Sequence, residues 1–169
     1  MKKILLLSDT HSYIDNRILS YAKNCDEVWH AGDIGKIEVL EKLEKIKTTK
    51  AVYGNIDDHV LRADLNEIEN FYCEKVKVCM IHIAGKPPYY NQKTKELIRT
   101  EKPKILVYGH SHILKVTYDK KNELLCINPG AIGKHGFHKK RTMLQFEING
   151  EKIENMNIIE VNEQKRTNL

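Results

Sequence analysis

The chain has 169 residues and a formal net charge of +5, and its lysines and arginines are spread along the whole length. A chain of this size forms one domain and buries roughly 70% of its unfolded surface, so its core needs no disulfide or metal staple. The modest, dispersed charge favours a solvated basic surface over a nucleic-acid-binding patch.

The cysteines and the apolar runs predict a cytoplasmic protein. The four cysteines form no Cys-x-x-Cys pair, and we expect reduced thiols; they are Cys25, Cys73, Cys79 and Cys126. The N-terminal apolar run covers only residues 4–7, and no run approaches the roughly 18–20 residues of a membrane helix. We therefore expect neither a signal peptide nor a membrane span.

The first part of the chain alternates strands with helices. Strands are predicted over residues 4–7, 27–30 and 51–53, and helices over residues 15–23 and 37–46. The continuous apolar run at 4–7 is typical of a strand buried on both faces. Strands that alternate with helices of this length predict a largely parallel sheet with helices on its faces.

The later part of the chain is richer in strands. A strand, a non-helical loop, a helix and a strand are predicted over residues 75–81, 85–90, 92–100 and 105–107. Two hairpins follow, formed by residues 115–118 with 124–127 and by residues 142–148 with 152–159. Asn149-Gly150 joins the second pair and is typical of a type I′ turn. These patterns predict one α/β sheet followed by hairpins.

We predict a single domain over residues 1–160 and a polar C-terminal tail over residues 161–169, frayed from about Asn162. The sequence contains no internal repeat and no linker that would divide the domain.

Seven metal-competent side chains follow the predicted strands at their carboxyl ends. They are Asp9, His11, Asp33, Asn55, His82, His110 and His112. Ligands of open α/β sheets bind at this edge, and Asp, Asn and His are ligand types for divalent manganese, iron or zinc. No cysteine takes part, which argues against a structural zinc site.

The number of these groups predicts two metal ions rather than one. Seven ligands suit two ions if a carboxylate bridges them, and Asp33, alone after its strand behind Gly32, is the candidate bridge. Two ions about 3.5–4 Å apart can activate a shared water and hold phosphoryl oxygens, which predicts phosphoester hydrolysis. Taken singly, each Asp could be a helix cap and each histidine a solvated loop residue. The joint pattern favours the metal site.

The motifs resemble, in order and spacing, those of the calcineurin-like metallophosphoesterases. They are Asp9-x-His11, Gly32-Asp33, Gly54-Asn55-x-Asp57, His82 and Gly109-His110-Ser111-His112. The chain length and the Asn128-Pro129-Gly130 turn resemble the small, single-domain phosphodiesterase branch. The resemblance covers residue 3 to about residue 148. It implies an α/β four-layer sandwich, in which two stacked mixed β-sheets are flanked by helices.

The resemblance also implies the roles of the site residues. By position, one metal is bound by Asp9, His11, Asp33 and His112, and the other by Asp33, Asn55, His82 and His110. Family members commonly use manganese, with nickel, iron or zinc as alternatives. The implied catalytic group is Asp33, Asn55 and His82 with a metal-bridging hydroxide that attacks a phosphodiester, and Asp57 would orient a ligand.

Two positions depart from the family pattern. Many larger members have a histidine where Ile56 stands, and many have a second histidine where Ala84 stands. The group that protonates the leaving group is therefore open, and we expect a preference for substrates with good leaving groups. His59, His135 and His138 could compensate. Four basic residues could steer anions; they are Lys134, Lys139, Lys140 and Arg141. Each of the seven could equally be an ordinary surface residue.

The main alternative is a scaffold protein that resembles the vacuolar-sorting subunit of the retromer coat, similar in fold but degraded at its metal site. All seven ligand positions here keep metal-competent side chains, which favours the enzyme. A nucleic acid partner is not indicated, because no stacking motif accompanies the basic run. The loop at residues 85–90 could cover the site or meet a partner, and the oligomeric state is not predicted.

Overall fold

The computed structural model describes residues 1–161, which contain four helices and twelve strands. In chain order they are β1 (Lys2–Leu7), α1 (Asn16–Lys23), β2 (Glu27–His30), α2 (Ile37–Glu44), β3 (Thr48–Ala51), α3 (His59–Asp64), β4 (Ile68–Cys73), β5 (Val76–Ile81), β6 (Gly85–Lys86), β7 (Tyr89–Tyr90), α4 (Gln92–Glu101), β8 (Ile105–Val107), β9 (Leu114–Asp119), β10 (Leu124–Pro129), β11 (Arg141–Asn149) and β12 (Lys152–Val161).

Ten of these strands form two five-stranded sheets. The first sheet has the order β12-β11-β1-β2-β3, with β1, β2 and β3 parallel and the β11–β12 hairpin antiparallel at one side. The second has the order β4-β5-β8-β10-β9, with a parallel centre and antiparallel strands at both edges. Both sheets are therefore mixed.

The buried side chains define four layers. Along β1, Leu5 and Leu7 pack with residues of α1 and α2, whereas Ile4 and Leu6 pack between the two sheets, because successive strand residues face opposite sides. On the far side of the second sheet, Leu97 of α4 packs in a third cluster. The order helices, sheet, sheet, helix confirms the four-layer sandwich.

Several elements differ from the sequence predictions. The predicted hairpins do not stand apart: one joins each sheet. The third strand occupies Thr48–Ala51 rather than residues 51–53. The hydrophobic pattern does not mark its start, because only Ala51 of this edge strand is buried and the strand lacks an apolar run. Helix α3 and strand β4 were not predicted. The six residues of α3 bury only Leu61, and β4 is a half-buried edge strand, so neither has a strong periodic signal.

The helix boundaries follow local capping. Asp15 accepts hydrogen bonds from the amides of Arg17 and Ile18 and so starts α1 where it is predicted. Helix α4 ends at Glu101, and Lys102 adopts a left-handed backbone conformation before Pro103. Among the helices of residues 1–161, none is long and apolar enough to cross a membrane. Val161 still belongs to β12, and residues 162–169 lie outside the described range, so the tail stays a prediction.

Candidate metal centre

The predicted ligands meet where the carboxyl ends of strands from both sheets come together. Residues of the first sheet's loops hydrogen-bond one another, since the Asp9 amide donates to the Gly32 carbonyl at 3.0 Å and the His11 amide to the Asp33 carbonyl at 3.0 Å. In the second sheet, the Gly109 amide donates to the His82 carbonyl at 3.0 Å. The backbone thus fixes the loops before any metal binds.

Five of the seven predicted ligands have a left-handed backbone, which is uncommon for residues other than glycine. They are Asp9, His11, Asp33, His110 and His112, with φ of 53°, 44°, 54°, 70° and 59°. Such conformations each cost on the order of 1–3 kcal/mol and cluster at functional sites. Their concentration here supports the assignment of this edge as the site.

Six of the seven side chains form two clusters, each with ligand atoms within 4.8 Å of one another. One cluster is Asp9, His11 and His112, and the other is Asp33, His82 and His110. Asn55 is exposed and lines the same cavity as Asp33. The family resemblance implies two ligand sets that share Asp33, and apart from Asp33 each cluster contains members of only one set.

Asp33 belongs to the second cluster and also approaches the first. Its Oδ1 is 3.2 Å from His82 Nε2, and its Oδ2 is 3.6 Å from His11 Nε2. The other carboxylate, Asp9, has its Oδ1 3.2 Å from His112 Nε2. The two oxygens of Asp33 therefore lie near histidines of different clusters, a position from which this carboxylate can bridge two ions. A Cβ atom at Gly54 would fall 2.1 Å from Asp33 Oδ1, so this approach needs glycine.

Three buried atoms of the site fit a metal ion. Asp9 Oδ1, His11 Nε2 and His82 Nε2 make no hydrogen bond of good geometry among the described residues, and the 3.2 Å contacts of Asp9 Oδ1 and His82 Nε2 only join one candidate ligand to another. A buried polar atom without a partner costs about 1–3 kcal/mol, so three at one place need an explanation. Oxygen and imidazole nitrogen donors suit divalent transition metals, and metal binding would satisfy all three atoms.

The second oxygen of Asp9 is, in contrast, fully engaged. Its Oδ2 accepts a hydrogen bond from Ser8 Oγ at 2.6 Å and one from the His110 amide at 3.2 Å. These contacts fix the carboxylate with Oδ1 free for a metal. Ser8 is not among the predicted site residues, because a serine at a strand end has no distinctive sequence signal.

Hydrogen bonds to the backbone fix two of the histidines. His82 Nδ1 lies 2.7 Å from the Ala31 carbonyl, which can only accept, so Nδ1 carries the proton and Nε2 is free to bind a metal. His138 Nε2 likewise donates to the Gly133 carbonyl at 2.9 Å, and its Nδ1 lies 3.2 Å from His112 Nδ1. His138 thereby accepts from His112 and directs His112 Nε2 toward Asp9.

Asp57 holds the loops rather than a ligand side chain. Its Oδ1 accepts from the Gly35 amide at 2.7 Å, and its Oδ2 accepts from the Ile34 amide at 3.1 Å and the Gly54 amide at 2.8 Å. These amides lie beside Asp33 and Asn55 in sequence. The expected orienting role of Asp57 therefore acts through the backbone.

His30 lies behind the site and is not among the predicted residues. Its Nδ1 accepts from the Gly32 amide at 3.2 Å, and its Nε2 lies 2.9 Å from Thr10 Oγ1, which donates to the Ile34 carbonyl. Burial lowers the pKa of His30 to about 4, so the imidazole is neutral. It joins the two loops that carry Asp9 and Asp33.

The protonation of the ligands follows from burial and from the carboxylates. Burial lowers the pKa of His11, which favours the neutral ligand form. Burial alone would also lower the pKa of His82, but Asp33 and Asp9 raise it above its usual value. Burial would raise the pKa of Asp33, yet His82 and the Ile56 amide hold it below its usual value. Metal binding must displace a proton wherever a histidine is charged.

The site opens into a cavity of about 510 Å3, and only some of the candidate compensating residues line it. His135 is exposed and lines the cavity, and its ring lies 4.9 Å from the His11 ring between centroids, at a tilt of 34°. His138 also lines it, but both its ring nitrogens are engaged. His59 begins α3 and does not line this cavity.

The basic residues of the same loop face elsewhere. Lys134 and Arg141 lie over the ring of Tyr13, and Lys140 pairs with Glu160 at 2.9 Å. These residues, like Lys139, do not line the cavity. Ala84 is buried in the cluster under α4, so it does not face the centre.

The loop at residues 85–90 forms the β6–β7 ribbon and contributes to a different cavity, next to α4. Pro87, Pro88 and Tyr90 line that second cavity, and the Tyr90 hydroxyl donates to Asp119 at 2.7 Å. The loop therefore does not cover the metal centre in this structure.

Comparison with known proteins gives the same family as the motifs. A model described as the calcineurin-like phosphoesterase superfamily domain matches residues 1–151. A probable metallophosphoesterase of Mycoplasma pneumoniae is 34% identical over 138 residues, which are 78% of this chain and 80% of that protein.

Solved structures show the same fold at low identity. A structure reported as a novel archaeal phosphodiesterase has a TM-score of 0.74 at 22% identity, over 94% of this chain and 99% of that one. Vps29 of Entamoeba histolytica, complexed with Zn2+, has a TM-score of 0.73 at 18% identity, over 95% and 98% of the two chains. With nearly the whole chain matched by the family model, this protein belongs to the calcineurin-like phosphoesterase superfamily.

Proposed function

We propose that this protein is a dinuclear metal-dependent phosphodiesterase. The observation that carries the proposal is a set of buried atoms, Asp9 Oδ1, His11 Nε2 and His82 Nε2, that lie at one cavity and make no well-formed hydrogen bond within residues 1–161. They lie in two ligand clusters, and Asp33 of the second cluster also approaches His11 of the first, which suits a pair of ions. The similarity to an archaeal phosphodiesterase further supports a diester as the substrate.

The site residues have different proposed roles. The two metal ions, when bound, supply a water of lowered pKa and stabilise negative charge on the phosphoryl oxygens. Asp33 would hold both ions, with Asp9, His11 and His112 on one and Asn55, His82 and His110 on the other. Asp57 and His138 would keep these ligands in place through the contacts described above.

We propose manganese as the metal, with nickel, iron or zinc as alternatives, since the ligand set mixes carboxylate, amide and imidazole without thiolate. Zinc in the E. histolytica Vps29 structure supports a divalent ion of this class at this fold. We also propose that residues 1–160 form a single domain and that the protein lies in the cytoplasm. All four cysteines are free and buried, which supports a reducing compartment.

A protein-interaction scaffold is the second candidate, because Vps29 proteins share the fold. The structure favours the enzyme in one respect: all seven positions keep metal-competent side chains, and six of them already cluster. The scaffold hypothesis predicts that the folded protein hydrolyses no phosphoester with any divalent metal.

The first experiment is hydrolysis of bis(p-nitrophenyl) phosphate by metal-stripped protein with and without added manganese. We expect manganese-dependent turnover that Asp33→Asn lowers by at least about a hundredfold, because loss of one ligand charge weakens both metal positions. Asp64→Asn, the same change at an exposed position at the end of α3, is the matched control. Full activity of Asp33→Asn would disprove the bridging role, and no turnover with any divalent metal would favour the scaffold.

A further inference from the structure

An apolar rim borders the cavity of the metal centre. Its side chains are those of Ile56, Ile113 and Phe137, which are 45%, 66% and 105% exposed. They come from three separate loops, after β3, β8 and β10. Exposed apolar side chains gathered around one cavity are typical of a ligand-binding surface.

The rim lies directly beside the metal ligands. The Ile56 amide donates to Asp33 Oδ1 at 3.1 Å, so this residue is held against the proposed bridging carboxylate. Ile113 directly follows His112 in the sequence, and Phe137 directly precedes His138. A phosphoryl group held at the centre would therefore place its ester groups against the rim.

The charge of the cavity restricts what the rim can bind. Within the described part of the chain, no lysine or arginine lines it. The metal ions would balance one phosphoryl group, but further phosphates or carboxylates would meet no lysine or arginine among the described lining residues. The second cavity, of about 500 Å3, is in contrast lined by Lys95, Lys120 and Lys121. The rim thus suits a neutral group.

Aromatic rings at the rim favour a flat group. Phe137 is fully exposed, and the His135 ring lies against the His11 ring at the cavity, with a tilt of 34° between them. Gly136, between these two rings, has φ of 125°, and a Cβ atom there would fall 2.4 Å from His112 Nδ1. The loop backbone therefore lies against a metal ligand and keeps both rings at the cavity, where a planar group can stack.

We propose that Ile56, Ile113 and Phe137 form a subsite for a neutral aromatic ester group of a phosphodiester, such as an aryl group or a nucleobase. The subsite rests on the proposed function, because the metal-bound phosphoryl group places the ester group at the rim. It gives the substrate class: a diester with one negative charge and an aromatic substituent, not a polyphosphate ester.

The test compares the binding of diphenyl phosphate and dimethyl phosphate to manganese-loaded protein by titration calorimetry. Both carry the same charge, so the ratio of their affinities reports the aromatic groups alone. We expect diphenyl phosphate to bind at least about tenfold more tightly, and Phe137→Ala or Ile113→Ala to remove most of that preference. Tyr72→Ala, at a 67% exposed aromatic residue of β4, is the control and should keep it.

The outcomes separate the subsite from the proposed function. Equal affinity for the two diesters, or a preference that survives both rim variants, would overturn the subsite. Because binding needs no turnover, a preference lost in the rim variants of a protein without hydrolytic activity would support the subsite while refuting the enzyme. The manganese content of each variant, measured in the same samples, should equal that of the unmodified protein and shows that the centre is intact.

Discussion

His112 is directed toward its proposed metal by a neighbour that never reaches the ion. The chain of contacts runs from the Gly133 carbonyl through both nitrogens of His138 to His112 Nδ1. A histidine ligand whose second nitrogen is held in this way keeps one tautomer and one orientation, and loss of such a partner typically weakens metal affinity about 10–100-fold. His138 is therefore a positioning residue.

We expect His138→Ala to weaken one of two manganese-binding steps by about 10–100-fold and to leave the other unchanged, since only His112 loses its partner. Two-site titration calorimetry on metal-stripped protein measures this directly. His138→Gln, which can still accept from His112, should recover part of the affinity, and His59→Ala on α3 should change neither step. Equal weakening of both steps would show that the clusters are not separate sites.

The contacts of individual side chains were harder to predict from the sequence than the position of the site. The gathering of the seven candidate ligands at one site could be predicted, because the ends of neighbouring strands meet at one edge. The choice among His59, His135 and His138 could not, because it depends on how one loop folds back over the site. Sequence reasoning also missed His30 and Ser8, since their contacts connect loops that are distant in the sequence.

The loops after β2 and β3 are joined by one carboxylate. Asp57 accepts hydrogen bonds from three backbone amides, two in the loop that carries Asp33 and one beside Asn55. Elements with strong periodic patterns, such as β1 and α2, could be predicted from the sequence. The path of these loops could not, and neither could α3, whose single buried side chain is Leu61.

We expect Asp57→Ala to lower the free energy of unfolding by about 3 kcal/mol, because three backbone amides, two of them buried, lose a charged acceptor. Urea unfolding of metal-stripped protein gives this value without a contribution from bound ions. Asp64→Ala, at an exposed position, should change the stability by less than about 0.5 kcal/mol. A similar stability for the two variants would show that water replaces the Asp57 carboxylate at no cost.

At the scale of the whole molecule, the two sheets enclose buried polar groups near the metal centre as well as apolar ones. His30 is fully buried and neutral, whereas in the unfolded chain its pKa is about 6.5. When folding lowers the pKa of a histidine, protonation of the unfolded chain at low pH reduces the free energy of unfolding. At a pH above the pKa of the unfolded chain this loss is absent. The loss grows as the pH falls from about 6.5 to about 4.

We expect the unmodified, metal-stripped protein to lose about 2–3 kcal/mol more stability than His30→Gln between pH 7.5 and pH 4.5. Glutamine can keep both hydrogen bonds of His30 but does not titrate. Urea unfolding at the two pH values measures the difference, and the other titrating groups cancel because both proteins share them. Parallel losses in the two proteins would show that His30 is not the titrating group.

The stacking of the two sheets was implied by the family resemblance and not by the sequence patterns themselves. Both hairpins show alternation and turn signals, but nothing in them indicates which sheet edge each will join. The parallel pairing of β1 with β2 and of β2 with β3 agrees with the strand–helix rhythm, which predicts parallel strands. The prediction of one α/β sheet is wrong, because the structure places β5 and β8 in a second sheet.

Each ligand cluster draws on both sheets: Asp9 and His11 follow β1 and share a cluster with His112, which follows β8, while Asp33 after β2 joins His82 and His110. An ion bound in either cluster would therefore act as a crosslink between two layers that otherwise touch mainly through apolar side chains. With both ions bound, the layers could not separate without releasing metal, so metal supply would set the resistance of the whole domain to partial opening.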